Sequence, residues 1–301
     1  RTARLDVRPA RAPVRAGLMA TLARRVVADA GETADMIAFK HSLFALPFAV
    51  MSLITAAAPG WPAPRVWWWV VVAMVAARTA AMACNRLVDH AIDADNPRTA
   101  GRSLPAGRLS RSFVIWVTVA AAVAFLVAAG MLNQLCLVLA GPTLAVLLGY
   151  SWAKRFTTAA HLWLGVALGL APIGAWIAET GVMAPPPLVL AAAVTLWVAG
   201  FDIIYSLQDE DFDRRAGLRS LPAAVGGRRA LAVARGLHAG ALVGFVAFAV
   251  IATTVVLVSV FVPIAFLQGD VGRLFSEFAL TMAAAVAFSS FVALSLSPML
   301  A

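Results

Sequence analysis

Charge is scarce in this sequence. Only 13% of the 301 residues are Asp, Glu, Lys or Arg, whereas 62% are hydrophobic and the mean hydropathy is +0.87. Soluble domains carry about 25% charged and roughly 45–50% apolar residues. No water-soluble core hides that much apolar surface, and a chain this poor in charge is not disordered. A soluble Rossmann or barrel enzyme is excluded with them. Cysteine is nearly absent, with Cys84 and Cys136 alone, which excludes a disulfide scaffold and a Cys-rich zinc site. The two also fall at opposite membrane depths in the helix arrangement below, so no disulfide is expected. His90 and His161 show no metal-ligand spacing and read as satisfied polar residues. Glycine-rich phosphate loops and Ser/His/Asp patterns are missing too. What remains is an integral membrane protein.

Long apolar sequence is what the chain has in abundance. A transmembrane helix needs about 20 mostly apolar residues. Runs without Asp, Glu, Lys or Arg cover 41–64, 112–153, 156–178, 180–201, 236–269 and 278–301, and 66–84 is interrupted only by Arg78. The run 112–153 holds two helices with a turn at Gly130–Gln134. The run 236–269 is one long helix, or two if Arg228, Arg229 and Arg235 snorkel. The sequence thus predicts an all-α fold, a polytopic membrane helix bundle of nine helices or, with that run unbroken, eight. The nine are expected near 37–57, 66–87, 113–131, 134–152, 161–178, 187–208, 230–249, 251–268 and 276–298.

Orientation follows from the basic residues. Of the 24 Lys and Arg, only Arg65 falls on the side bearing the first, third and fifth connections. The positive-inside rule makes the other side cytoplasmic. The formal net charge of +9 is therefore a topology signal and not a nucleic-acid footprint. Residues 1–35 read as a basic cytoplasmic arm lying on anionic lipid, with seven Arg in the first 30. A transit peptide is the rival reading, but the arm holds little Ser. Trp61 and Trp67–Trp69 form an outer aromatic belt or pack inward.

Eight of the 15 acidic residues fall in two short segments, both at cytoplasmic helix ends. The first carries Arg78, Asn85, Asp89, Asp93, Asp95, Arg98, Thr99 and Arg102. The second carries Asp202, Tyr205, Asp209, Glu210, Asp211 and Asp213. At about 100° per residue, i, i+7 and i+11 share one helical stripe, so Arg78, Asn85 and Asp89 line one and Asp202, Asp209 and Asp213 another. Asp211 lies on the opposite face. Downstream of each segment stand the same five residues, Arg102-Ser-Leu-Pro-Ala106 and Arg219-Ser-Leu-Pro-Ala223. An internal duplication explains both echoes and sets the two segments as facing partners; chance alone would have to supply the pentapeptide twice.

Ionised groups are costly in a bilayer and are rarely ornamental there. Carboxylates at i, i+4 project together and need a cation between them. Oxygen ligands of this kind suit Mg²⁺, completed by substrate phosphate oxygens, and Arg98, Arg102, Lys154 and Arg155 supply phosphate donors. Beside a lipid-facing bundle, this chemistry points to a diphosphate with a long apolar tail. Solvated caps are the plainer reading of any single acid here.

These residues resemble a family. Asn85-Arg-Leu-Val-Asp89 through Asp93, Asn96-Pro-Arg98-Thr99 and Arg102-Ser-Leu-Pro-Ala-Gly107 are similar to the first signature of the UbiA intramembrane prenyltransferases. Asp202-Ile-Ile-Tyr205-Ser-Leu-Gln-Asp209-Glu-Asp-Phe-Asp213 is similar to the second, and Lys40-His41 to Pro47 and Tyr150 to Thr157 also fit. The details resemble the 4-hydroxybenzoate polyprenyltransferase-like branch, from about residue 36 to 248. The resemblance implies a bundle with a central cavity open to lipid, in a bacterial inner membrane with N-terminus and motifs cytoplasmic. It implies Mg²⁺-dependent transfer from polyprenyl diphosphate to a hydroxylated aromatic acid in ubiquinone or menaquinone biosynthesis. Asp89, Asp209 and Asp202 would be catalytic; Asn85, Asp89, Asp93, Asp209 and Asp213 would hold metal. Arg98, Arg102, Lys154 and Arg155 would take diphosphate; Lys40, Arg78 and Tyr205 the acceptor. Where the family opens its first signature with Asn-Asp, this chain has Asn85-Arg86, one carboxylate fewer.

Residues 249–301 instead resemble two helices of resistance-nodulation-division efflux pumps, which sets a third segment after 1–35 and 36–248. A transporter or efflux-related protein is therefore the alternative function. A transport relay places ionisable groups near the midplane, whereas these cluster at one end.

Overall fold

A computed structural model describes residues 31–33, 45–265, 281–282, 284–285 and 289. Among the described residues there is no strand. Ten helices follow in order: α1 (Leu46–Ala57), α2 (Pro64–Val88), α3 (His90–Asp95), α4 (Arg111–Leu132), α5 (Gln134–Phe156), α6 (Ala160–Thr180), α7 (Pro185–Ser206), α8 (Glu210–Arg215), α9 (Leu221–Val225) and α10 (Gly227–Ala265). Six stretches are long and apolar enough to cross a membrane: Pro64–Val88, Arg111–Leu132, Gln134–Phe156, Ala160–Thr180, Pro185–Arg215 and Gly227–Val258. The shorter apolar α1 accompanies them. Large apolar side chains face outward, Trp116 at 72% and Leu242 at 65% exposure, which suits lipid and not water.

Local chemistry sets the helix ends. Pro64 and Pro185 open α2 and α7, where a missing N–H costs nothing. Ser110 caps α4 by accepting from the Phe113 N–H at 3.2 Å. Asn133 sits alone between α4 and α5 and accepts from the Cys136 N–H at 2.9 Å, so the expected turn at Gly130–Gln134 is a single extended residue. Gly181 closes α6 with φ +72°, its N–H on Ile177 O at 2.8 Å.

The expected break near Ile251 is not there. α10 runs unbroken over 39 residues, so the two separate helices expected at 230–249 and 251–268 are one, and the count of nine is not met among the described residues. Neither Gly nor Pro occurs between 245 and 262. β-Branched residues lower helix propensity only by tenths of a kcal/mol, while an unpaired backbone group in hydrocarbon costs several. The expected segment boundary after residue 248 falls inside this helix.

α2 packs on α4 and α5; α7 packs on α6 and α10; α5 meets α6, and α1 lies on α6. The α6–α7 contact is a close one. Gly165 and Gly169 share one face of α6, and a Cβ on them would meet Thr195 O at 2.3 Å and Ala191 O at 2.8 Å. This is the small-xxx-small device that draws membrane helices together. Phe48 of α1 stacks on Phe245 of α10 at 5.5 Å and meets the Trp197 edge of α7 at 5.5 Å. These contacts hold the ends of α2 and α7, and the acids they carry, in fixed relation.

Candidate functional site

Both acidic segments break their long helix at an aspartate. α2 stops at Val88, Asp89 takes φ −90° and ψ 7°, and α3 follows. α7 stops at Ser206, the turn Leu207–Asp209 follows, and Asp209 takes φ −106° and ψ 7° before α8 begins. Each acid occupies the sparsely populated bridge region between the α and β wells. Asp competes for local backbone groups and favours such junctions over helix interiors. The straight stripes expected from regular phasing are thereby corrected: the phase breaks at Asp89 and between 207 and 209. Each six-residue helix then leads to the repeated pentapeptide, whose Ser103 and Ser220 are both buried.

Residues of the first segment hold the acid of the second. Asn96 Nδ2 donates to Asp209 Oδ1 at 3.1 Å and Arg98 Nε to the same oxygen at 2.9 Å. Arg98 Nη2 donates to Asp209 Oδ2, completing a fork. Its Nη1 donates to the Tyr205 hydroxyl at 3.1 Å, and the guanidinium carbon stands 5.4 Å from that ring's centroid. Tyr205 is thus engaged by Arg98.

Asp89 accepts from Asn85 Nδ2 at 2.8 Å, and Arg155 Nη2 lies 3.5 Å from its other oxygen while donating to Val88 O at 2.6 Å. Burial, and then the neighbouring Asp93, push the Asp89 carboxyl above its ordinary value; the Arg155 and Lys154 charges pull it back. Asp93 is buried between two guanidiniums, Arg102 Nη1 at 2.6 Å and Arg86 Nη1 at 3.7 Å. The equivalent arginine of the second repeat works differently: Arg219 donates to Phe156 O at 3.0 Å and, from its backbone, to Lys154 O at 2.7 Å. Asp213 is buried, and its Oδ2 has no hydrogen-bond partner among the described residues. The Asp211 side chain is 89% exposed, in line with its place on the outer face.

Asp202 stands apart from Asp209, about two turns deeper in α7. Its Oδ2 lies 2.7 Å from Nδ1 of His161, a residue only 2% exposed. Arg78 Nε is buried without a hydrogen-bond partner among the described residues. Lys40 lies outside the described residues. Two open surface hollows among those residues lie at Val225–Arg229 with Ala232, and at Asp211, Arg214 and Arg215. Neither encloses Asp89 or Asp209, and the expected central cavity is not one of them. The site expectations omitted Asn96 and His161. Asn96 stood in the first signature two residues before Arg98; nothing local marks His161, whose partner is 41 residues away.

The donor set fits magnesium. Asn85, Asp89, Asp93, Asp209 and Asp213 offer oxygen donors, and the buried Asp213 Oδ2 lacks a partner among the described residues. Among those residues no three His, Cys, Asp or Glu converge to cage an ion alone. Mg²⁺ characteristically takes one or two carboxylates and completes its shell with water and substrate phosphate.

Comparison with known proteins identifies a family. The family model described as the UbiA prenyltransferase family matches residues 45–275. A 4-hydroxybenzoate solanesyltransferase of Synechocystis is 36% identical over 154 residues, 50% of this chain and 52% of that protein. A 4-hydroxybenzoate octaprenyltransferase of Methylobacillus flagellatus is 29% identical over 164 residues, 54% and 55% of the two chains. The chain therefore spans about half the length of the curated relatives it matches. The apo structure of a UbiA homolog from Aeropyrum pernix superposes with a TM-score of 0.64 at 31% identity, covering 84% of this chain and 98% of that one. A UbiA homolog from Archaeoglobus fulgidus, bound to GPP and Mg²⁺, shares the fold with a TM-score of 0.61 at 20% identity, covering 88% and 99%.

Proposed function

The chain belongs to the UbiA prenyltransferase family, and on that premise we propose that it transfers a polyprenyl group from polyprenyl diphosphate to a hydroxylated aromatic acid like 4-hydroxybenzoate, with Mg²⁺, in quinone biosynthesis. The reading is carried by the bonds on Asp209. Asn96 and Arg98 of one acidic segment grip Asp209 of the other, which gathers acids and phosphate donors at one end of the bundle. That end faces the cytoplasm of a bacterial inner membrane, by the charge asymmetry of the loops.

Asn85, Asp89, Asp93, Asp209 and Asp213 would hold Mg²⁺, which when bound stabilises the charge growing on a departing diphosphate. Arg98 uses Nε, Nη1 and Nη2 here, and its planar fork retains further N–H groups for phosphate oxygens. Arg102, Lys154 and Arg155 stand at the same end and add to that positive field. Arg78, Tyr205 and Lys40 address the acceptor's carboxylate and ring. The aromatic carbon that gains the prenyl group must lose a proton, and Asp202, set back from the phosphate end, receives it. Apolar helix walls keep water from the cation-like allylic carbon.

A transport role finds no support in relatives named as transferases, and the acids lie at helix ends. The test is the purified chain in detergent with Mg²⁺, labelled polyprenyl diphosphate and a panel of aromatic acids. Prenylated hydroxybenzoate is the expected product; no transfer to any acid overturns the proposal.

A further inference from the structure

His161 is the second residue of α6, only 2% exposed, and both ring nitrogens are engaged. Nε2 accepts from the Leu221 backbone N–H at 3.2 Å. A nitrogen that accepts carries no proton, so Nδ1 holds it in the neutral ring. Nδ1–H then donates to Asp202 Oδ2 at 2.7 Å. Leu221 belongs to the second Arg-Ser-Leu-Pro-Ala repeat, where Arg219 N–H also binds Lys154 O. The ring therefore bridges the repeat loop to a carboxylate about one turn inside α7. The close α6–α7 contact at Gly165 and Gly169 leaves the bridge little room to shift.

From this geometry we infer that His161 is a positioning residue, a neutral Nδ1–H donor that fixes the Asp202 carboxylate for its part in prenyl transfer. The inference rests on the reading of Asp202 given above. Donating to Oδ2 fixes the carboxylate's rotation and leaves the lone pairs of Oδ1 for an incoming proton. A second acid aligned this way needs no metal and is separate from the grip on the diphosphate, so its loss acts on turnover and not on diphosphate affinity.

Two substitutions separate the two bonds. His161→Asn keeps a short amide donor near Nδ1 and loses the acceptor for Leu221. His161→Gln places its amide oxygen near Nε2 for Leu221 and gives up the donor to Asp202. Misplacing a reacting group by about 1 Å costs on the order of 100-fold. We expect His161→Ala and His161→Gln to lose kcat by about 10- to 100-fold with KM for the diphosphate nearly unchanged, and His161→Asn to recover most of the loss. Rescue by Gln and not Asn would make His161 a loop tie and overturn the inference; so would unchanged kcat in all three. Independently, ¹⁵N-histidine spectra of the full chain, with His161→Asn to assign the signal, should show the Nδ1–H form. An Nε2–H ring overturns the inference. If the wild-type chain forms no product, the proposed reaction fails, while the nitrogen spectrum still decides the tether.

Discussion

Asp209 is the residue on which the two acidic segments meet, and its replacement tests the site most directly. Asp209→Asn removes the charge that Arg98 forks onto and weakens the Asn96 bond. Prenyl transfer is expected to fall by at least about 100-fold while the protein still elutes as a single folded species in detergent. Arg98→Lys keeps the charge but not the fork, nor the contact with Tyr205, so a loss of about tenfold is expected from initial rates. Asp89 carries a different signature. Burial and Asp93 raise its folded-state value above the ordinary one. Its ionised form therefore costs the fold free energy, a cost absent at pH below the unfolded-chain value and fully present once pH rises past the folded one. Neutral Asp89→Asn is accordingly expected to raise the melting temperature at pH 7 in Mg²⁺-free buffer while abolishing turnover. A lower melting temperature would show that Arg155 and Asn85 outweigh burial.

At the scale of elements, the contact between α6 and α7 governs how the site is held. A Cβ on Gly165 would collide with the Thr195 carbonyl, which is backbone and cannot swing away. Overpacking of this kind costs typically 1–3 kcal/mol, about 2–4 °C per kcal/mol in larger domains. Gly165→Ala should lower the melting temperature by several degrees, followed by fluorescence-detected size exclusion after heating. Gly174→Ala on the same helix meets nothing within 4 Å and serves as the control. Which neighbour Gly165 and Gly169 face depends on how α6 and α7 pack, which the sequence does not display. The junctions at Asp89 and Asp209 had a local cause in aspartate chemistry, but regular phasing hides a break that only the bridge-region backbone reveals.

At the scale of the whole molecule, α10 decides the topology. Its 39 residues rise about 58 Å, nearly twice a hydrocarbon core of about 30 Å. The helix starts beside the motif end, so Ala265 emerges on the opposite side. In chains with Cys84 and Cys136 replaced, Asp211→Cys and Ala265→Cys should react with an impermeant maleimide from opposite faces of the membrane; reaction from the same face would require a turn within α10. The sequence by itself determined the solvent, the helical class, most of the spans and the chemistry of the acidic segments. Those properties depend on composition and on neighbours within a few residues, where hydropathy, capping and spacing act. The tertiary structure alone decided that Arg98 would lie on Asp209, 111 residues away, that His161 would carry Asp202, and that the β-branched run past Ile251 would continue one helix. Pairings at such separations depend on which helix faces meet, and many faces of this chain are nearly equally apolar. Helix continuity was settled by the cost of leaving backbone groups unpaired in lipid, which outweighs the small propensity differences a sequence displays.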